Sequence, residues 1–195
     1  MSDQQDANLE ARRIVFIQDE DTNETLDMEV YLELEHEGRT YALITPPLPT
    51  VNLFQVDDAE EGEEGEALNE ADLDTFKALR KEIDAFLKPW GVTVSLKGSE
   101  IRLSGELPDE VYAESPMLDI EGEDEPETFL QLGELDAGGQ AYWLLMPAPP
   151  PLYAVALDGD QAAYLSDDQL ETLQPLFDEA MAEIEEEMED DGGRG

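Results

Sequence analysis

An α+β fold is predicted, made of two pseudo-repeated antiparallel β-meander units, each followed by an amphipathic helix. Three observations predict it. The stretch from Gly38 to Leu87 recurs loosely at an offset of 101, so that Gly38, Tyr41, Leu43, Pro46 and Pro49 are answered by Gly139, Tyr142, Leu144, Pro147 and Pro150. Apolar and polar residues alternate ahead of the first glycine turn, the period of a half-buried strand. Farther along each copy, apolar residues recur at three- and four-residue steps, and Phe76, Ile83 and Leu87 meet Phe177, Ile184 and Met188 at the same offset. A duplication of this kind sets the architecture before any single residue does.

In chain order, Arg13 to Ile17 is an apolar run closed by the turn signal Asp19-Glu20-Asp21-Thr22-Asn23. Val30, Leu32 and Leu34 then alternate with Tyr31, Glu33 and Glu35 as one strand. His36-Glu37-Gly38 reverses the chain, and Tyr41 to Thr45 returns to make a hairpin. Pro46, Pro47 and Pro49 end the pairing, because proline has no N–H to give a ladder. Val51 to Val56 is a third strand. The second copy repeats these strands at Phe129 to Leu132, Gln140 to Met146 and Leu152 to Leu157. Matching Tyr31 to Phe129 makes its hairpin loop three residues longer: ten steps to Gly139 against seven to Gly38.

The first helix is predicted to start near Asn69 and Asp72, to bury Leu73, Phe76, Leu79, Ile83 and Leu87, and to stop at Pro89. Val92 to Leu103 forms a further hairpin around Lys97-Gly98-Ser99, and Leu107 to Glu127 is expected to be irregular. The last helix opens on a capping box, Ser166 with Gln169, and Pro175 inside it predicts a kink or restart. Residues 13–90 are therefore the first unit and 91–188 the second, with an acidic linker at 57–66. Residues 1–12 and 189–195 are expected to be disordered ends, too like-charged or polar to pack.

Composition excludes more than it assigns. The apolar set is 41% of 195 residues, enough for a core, but 51 Asp plus Glu face 10 Lys plus Arg for a formal charge of −41. Such a field keeps a protein soluble and monomeric, and a monomer is expected. It opposes nucleic acid, whose binding rests on Lys and Arg displacing counterions, and it opposes anionic membranes. With no cysteine, disulfides and thiolate chemistry are absent. No apolar run approaches the ~20 residues that span a bilayer, so membrane insertion is not expected and a cytoplasmic protein is the default.

The candidate chemistry is thin, and no catalytic, metal-binding or cofactor-binding residue is assigned. Asp19-x-Asp21-x-Asn23 resembles half a calcium loop, but Glu24 stands where glycine belongs and Val30 where the bidentate glutamate belongs. His36 is the only histidine and cannot build a multi-histidine zinc site. Carboxylates are too numerous for proximity to single one out. The proline clusters are more informative because they recur at equivalent positions. Pro46, Pro47 and Pro49 with Tyr41, and Pro147, Pro149 and Pro150 with Tyr142 and Trp143, are the candidate interaction residues, as polyproline offered to an aromatic groove. Their recurrence within a duplicated unit favours the plainer role of a bend between strands.

The order of several segments resembles a family of functionally uncharacterised acidic proteins of cyanobacteria and chloroplasts. The segments are Tyr41 to Pro46, the acidic linker, Val94 to Pro108, the hairpin ending in Met146-Pro147, and Leu165 to Leu176. The resemblance spans about residues 13–188. It implies the cyanobacterial cytosol or plastid stroma and a setting near photosynthetic biogenesis; it brings no catalytic residues. The function expected first is a non-enzymatic acidic adaptor or assembly factor with a basic protein partner. A carboxylate-dependent hydrolase, and a domain whose acidity is only salt adaptation, are the rivals. A local function is expected where the copies differ: the linker, the longer second loop, and Lys77 to Arg102.

Overall fold

The structure, a computed structural model, describes residues 13–58, 66–121 and 126–192. The expected N-terminal arm, most of the acidic linker and the last residues of the tail lie outside them. The chain opens with β1 (Ile14–Gln18), β2 (Thr25–His36), β3 (Arg39–Thr45), β4 (Asn52–Asp58) and β5 (Glu66–Glu70). Helices α1 (Leu73–Ala78) and α2 (Arg80–Leu87) follow, then a single 3-10 turn at Lys88–Trp90. Next come β6 (Thr93–Lys97), β7 (Glu100–Ser104), α3 (Asp109–Glu114), β8 (Met117–Glu121), β9 (Pro126–Ala137) and β10 (Gln140–Pro147). The chain closes with β11 (Tyr153–Asp158), β12 (Gln161–Tyr164) and α4 (Asp167–Gly192). The fold is mixed α+β.

Two compact units form, but not at the expected boundary near residue 90. One is Met1–Pro47 with Leu152–Gly195; the other is Leu48–Pro151. The first contains a closed five-stranded barrel in the order β1-β12-β11-β3-β2, and β1 pairs with β12 in parallel to shut it. The second contains an open sheet in the order β5-β4-β10-β9-β8 and the separate β6–β7 hairpin. The expected β-meanders do not form, because each hairpin takes its third strand from the distant stretch. β3 pairs with β11 and β10 pairs with β4. A meander needs consecutive strands to be neighbours; here the proline segments carry each third strand away.

The two exchanged pairs share one register. Tyr41↔Ala156, Ala42↔Val155 and Ile44↔Tyr153 on β3–β11 become Tyr142↔Gln55, Trp143↔Phe54 and Leu145↔Asn52 on β10–β4. Each follows by adding 101 to one partner and subtracting it from the other. The hairpins agree as well: Leu34↔Tyr41 and His36↔Arg39 correspond to Leu135↔Tyr142 and Ala137↔Gln140. The second hairpin is therefore not longer. Both turns have two residues, Glu37-Gly38 and Gly138-Gly139, all at positive φ (51°, 75°, 64° and 83°). That is the twist that joins antiparallel strands tightly, and it explains the glycines. The proper match is Tyr31 with Leu132, seven steps before each glycine.

Those two residues sit at the register shifts, where Tyr31 and Leu132 are passed over in the pairing. An extra residue moves every later side chain to the other face of a strand. So Val15, Ile17, Leu26, Met28, Ala42, Ile44 and Val155 form the inner cluster of the barrel unit, with Val30 packed on it. Leu32 and Leu34, past the bulge, join Tyr41, Leu173 and Phe177 in the cluster that includes α4. Val30, Leu32 and Leu34 are thus not one strand face, although their alternation suggests it.

Helical details follow from local chemistry. Asp72 caps α1 by accepting the Thr75 backbone N–H at 2.8 Å, whereas Asn69 pairs within β5. Accepting that bond, and a side-chain bond from Thr75, holds the Asp72 carboxyl below the usual aspartate range. Pro89 and the left-handed Gly91 (φ 71°) end the segment. Ser166 and Gln169 form the expected reciprocal cap, with Ser166 N donating to Gln169 Oε1 at 3.1 Å and Gln169 N to Ser166 Oγ at 3.4 Å. Pro175 does not restart the helix; α4 is continuous from Asp167 to Gly192. Its backbone also passes residue 189, the expected start of a disordered tail. Like charges on a helix cost only a few tenths of a kcal/mol per pair, less than successive helical bonds can offset. The described part of Leu107 to Glu127 is not irregular either: Val111 is buried from α3, and β8 pairs with β9 from Met117 to Glu121.

Candidate interaction site

The proline clusters coincide with the covalent crossings between the units. The chain passes from one to the other at Pro47/Leu48 and at Pro151/Leu152. Pro46 is buried and Pro47 half-buried, while Pro49, Pro149 and Pro150 are exposed. The Ala148–Pro149 peptide is cis. The plain structural role of a proline segment here is to withhold ladder donors just where a strand must leave one sheet for another.

The aromatic candidates are divided among different clusters. Tyr41 is buried at 6% exposure with Leu173 and Phe177. Tyr142 packs on the large cluster containing Phe76, Ile83 and Leu87. Trp143 packs on Phe54, Phe129 and Leu145, where the Phe54 and Phe129 rings meet edge-on at 5.6 Å. Tyr142 and Trp143 are neighbours in sequence on opposite faces of β10, and their rings belong to different clusters.

The half calcium loop is occupied by its own backbone. Asp19 is 5% exposed. Its Oδ1 accepts the Thr22 N–H at 2.7 Å, the Thr22 hydroxyl at 2.8 Å and the Asp21 N–H at 3.1 Å. That is an Asp-capped turn, with Asn23 at positive φ (58°) to close it. Among the described residues, no group of three or more His, Asp or Glu is placed to hold a metal ion. His36 is half-buried at the end of β2, opposite Arg39, rather than exposed.

Several of the scarce cations are held by nearby carboxylates. Arg13 meets Glu33 at 2.7 Å, Arg80 meets Asp84 at 3.0 Å, and Lys77 meets Asp74 at 3.4 Å. Arg102, a residue only 2% exposed, meets Glu100 at 2.8 Å. Arg80 also donates to the Val94 carbonyl oxygen and lies over the Phe76 ring. Within the least acidic segment, Lys77 to Arg102, Arg80 thus ties α2 to β6, while the Lys77 and Arg102 pairs lie within α1 and within β7.

A cavity of 540 Å³ was not anticipated from sequence. Its walls include Trp90, Val111 and Leu132, with Glu110, Glu114 and Glu134 among its lining residues. Glu110 and Glu114 lie one turn apart on α3, and Glu134 comes from β9 just past the bulge. Trp90 is positioned by Phe86, whose ring meets it edge-on at 5.3 Å. Phe86 in turn fills the space left by Gly133, where a Cβ would overlap the ring. The signal available in sequence was small: a glycine inside a strand pattern marks a bulge or a close approach.

Residues 94–189 match the model of a family described as a protein of unknown function (DUF3727). The matched stretch starts in β6 and ends in α4, so it draws on both units. No curated protein and no solved structure matches the chain.

Proposed function

We propose that the chain is a non-enzymatic acidic adaptor or assembly factor that binds a basic protein partner. The observation that carries this is the charge: 51 acidic residues against 10 basic ones, for −41. The ion pairs at Arg13, Lys77, Arg80 and Arg102 strengthen it, because these cations are matched internally. The excess carboxylates then present one sign to solvent, a field that speeds encounter with a basic surface and fades with salt.

The chain also reads as two copies of one strand unit that exchange their third strands, supported by the shared register of β3–β11 and β10–β4. A cyanobacterial or plastid setting, with the protein in the cytosol or stroma, follows from the resemblance of segment order and is part of the proposal. Affinity capture from such a host, at low and at high ionic strength, tests it. A basic protein retained at low salt and released at high salt is expected. Recovery of nothing, or only of partners indifferent to salt, would reject the adaptor.

A further inference from the structure

We propose that the cavity beside Trp90 receives a lysine or arginine side chain from the basic partner. The inference rests on the adaptor reading and gives it a place. Three features converge within Leu48–Pro151. The cavity is an open depression of 540 Å³, larger than one long side chain needs. Its wall contains an indole with Val111 and Leu132, apolar surface for an aliphatic stem and an aromatic ring for a cation. Glu110, Glu114 and Glu134 supply carboxylates from two elements, and none of the residues lining the cavity is basic.

The chemistry selects the occupant. The three glutamates are exposed at the rim: an anion would meet three like charges, and a neutral apolar group would gain nothing from them. A guanidinium or ammonium on a long methylene stem satisfies both parts at once: stem against Trp90 and Leu132, charge against the glutamates. The site is also held in place from beneath, because Gly133 admits Phe86 and Phe86 abuts Trp90. The bulge at Leu132 departs from the regular pairing at this point, and such bulges commonly lie beside functional sites.

The full chain titrated with a hexalysine and a hexaarginine peptide at low salt tests this by calorimetry. The triple variant Glu110→Gln, Glu114→Gln, Glu134→Gln is compared with Asp167→Asn, Asp168→Asn, Glu171→Gln, which removes the same charge from α4. Trp90→Leu is the second arm, and urea midpoints check that each variant is folded. A loss of about tenfold in the cavity triple and in Trp90→Leu is expected, against about twofold or less in the α4 triple. Equal losses in the two triples would overturn the cavity while leaving a basic partner in place. No binding of either peptide by the unaltered chain would overturn the basic partner as well.

Discussion

Trp143 stands opposite Phe54 on β10–β4 at the register position that Ala42 and Val155 hold on β3–β11. The barrel has its small pair there, and the open sheet has its aromatic pair. Side chains must fill a small barrel without overfilling it, so volume at this position bears on whether a five-stranded sheet can close. Ala42 is fully buried in the barrel unit's inner cluster. Ala42→Phe is therefore expected to destabilise the chain by about 1–3 kcal/mol or more through overpacking. Trp143→Leu, at the half-buried equivalent, is expected to cost less than the Ala42 change. Chemical denaturation of both variants checks the order.

Phe76 and Phe177, 1% and 2% exposed, are the deepest aromatic anchors of the helices against their sheets. Phe76→Ala and Phe177→Ala should each cost ~3–5 kcal/mol by urea melting. A change near zero in either would mean that its helix contributes little to its unit.

Gly133 is held to glycine by Phe86 and not by its own backbone, since its φ is ordinary. Gly133→Ala should destabilise by ~1–3 kcal/mol as the ring is pushed aside. Shortening the neighbour in Gly133→Ala/Phe86→Leu should recover part of that loss. A simple sum of the two single effects would show that the ring is not what forbids the methyl group.

Asp72 gives a pH dependence whose sign follows from its bonds. Its carboxyl is held below the usual aspartate value by the Thr75 backbone and side-chain donors. A depressed folded pKa means a contribution complete above the unfolded value of about 3.9 and lost as pH falls through the folded one. Asp72→Asn should lower the melting temperature near neutral pH, and the gap should close in acid below the aspartate range. A gap that stayed constant across that window would exclude the charged cap as its cause.

Local elements were legible in the sequence because local chemistry makes them: the Ser166–Gln169 cap, the glycine turns and the proline stops all formed. The registers of β3–β11 and β10–β4 are related by the same offset of 101, which supports the proposed repeat. What sequence could not show was which hairpin each third strand would join. Val51 to Val56 carries an apolar pattern compatible with either, and only the proline crossings separate them. The bulge at Tyr31 was hidden for a similar reason: the alternation continues straight through it, while the faces change. The recurring prolines lie at the crossings between units, and the recurring aromatics pack in separate clusters. The Trp90 cavity gathers residues from separated segments of the chain, so no spacing could announce it.

The interleaved assembly is tested most directly by cutting the chain in two different ways. A fragment of residues 48–151 keeps one whole unit, and its urea melt should be cooperative. A fragment of residues 13–90 keeps the whole first copy of the proposed repeat but strips β3 and β4 of their partners β11 and β10, so it should show no cooperative transition. A cooperative melt from 13–90, with none from 48–151, would contradict the exchange of third strands.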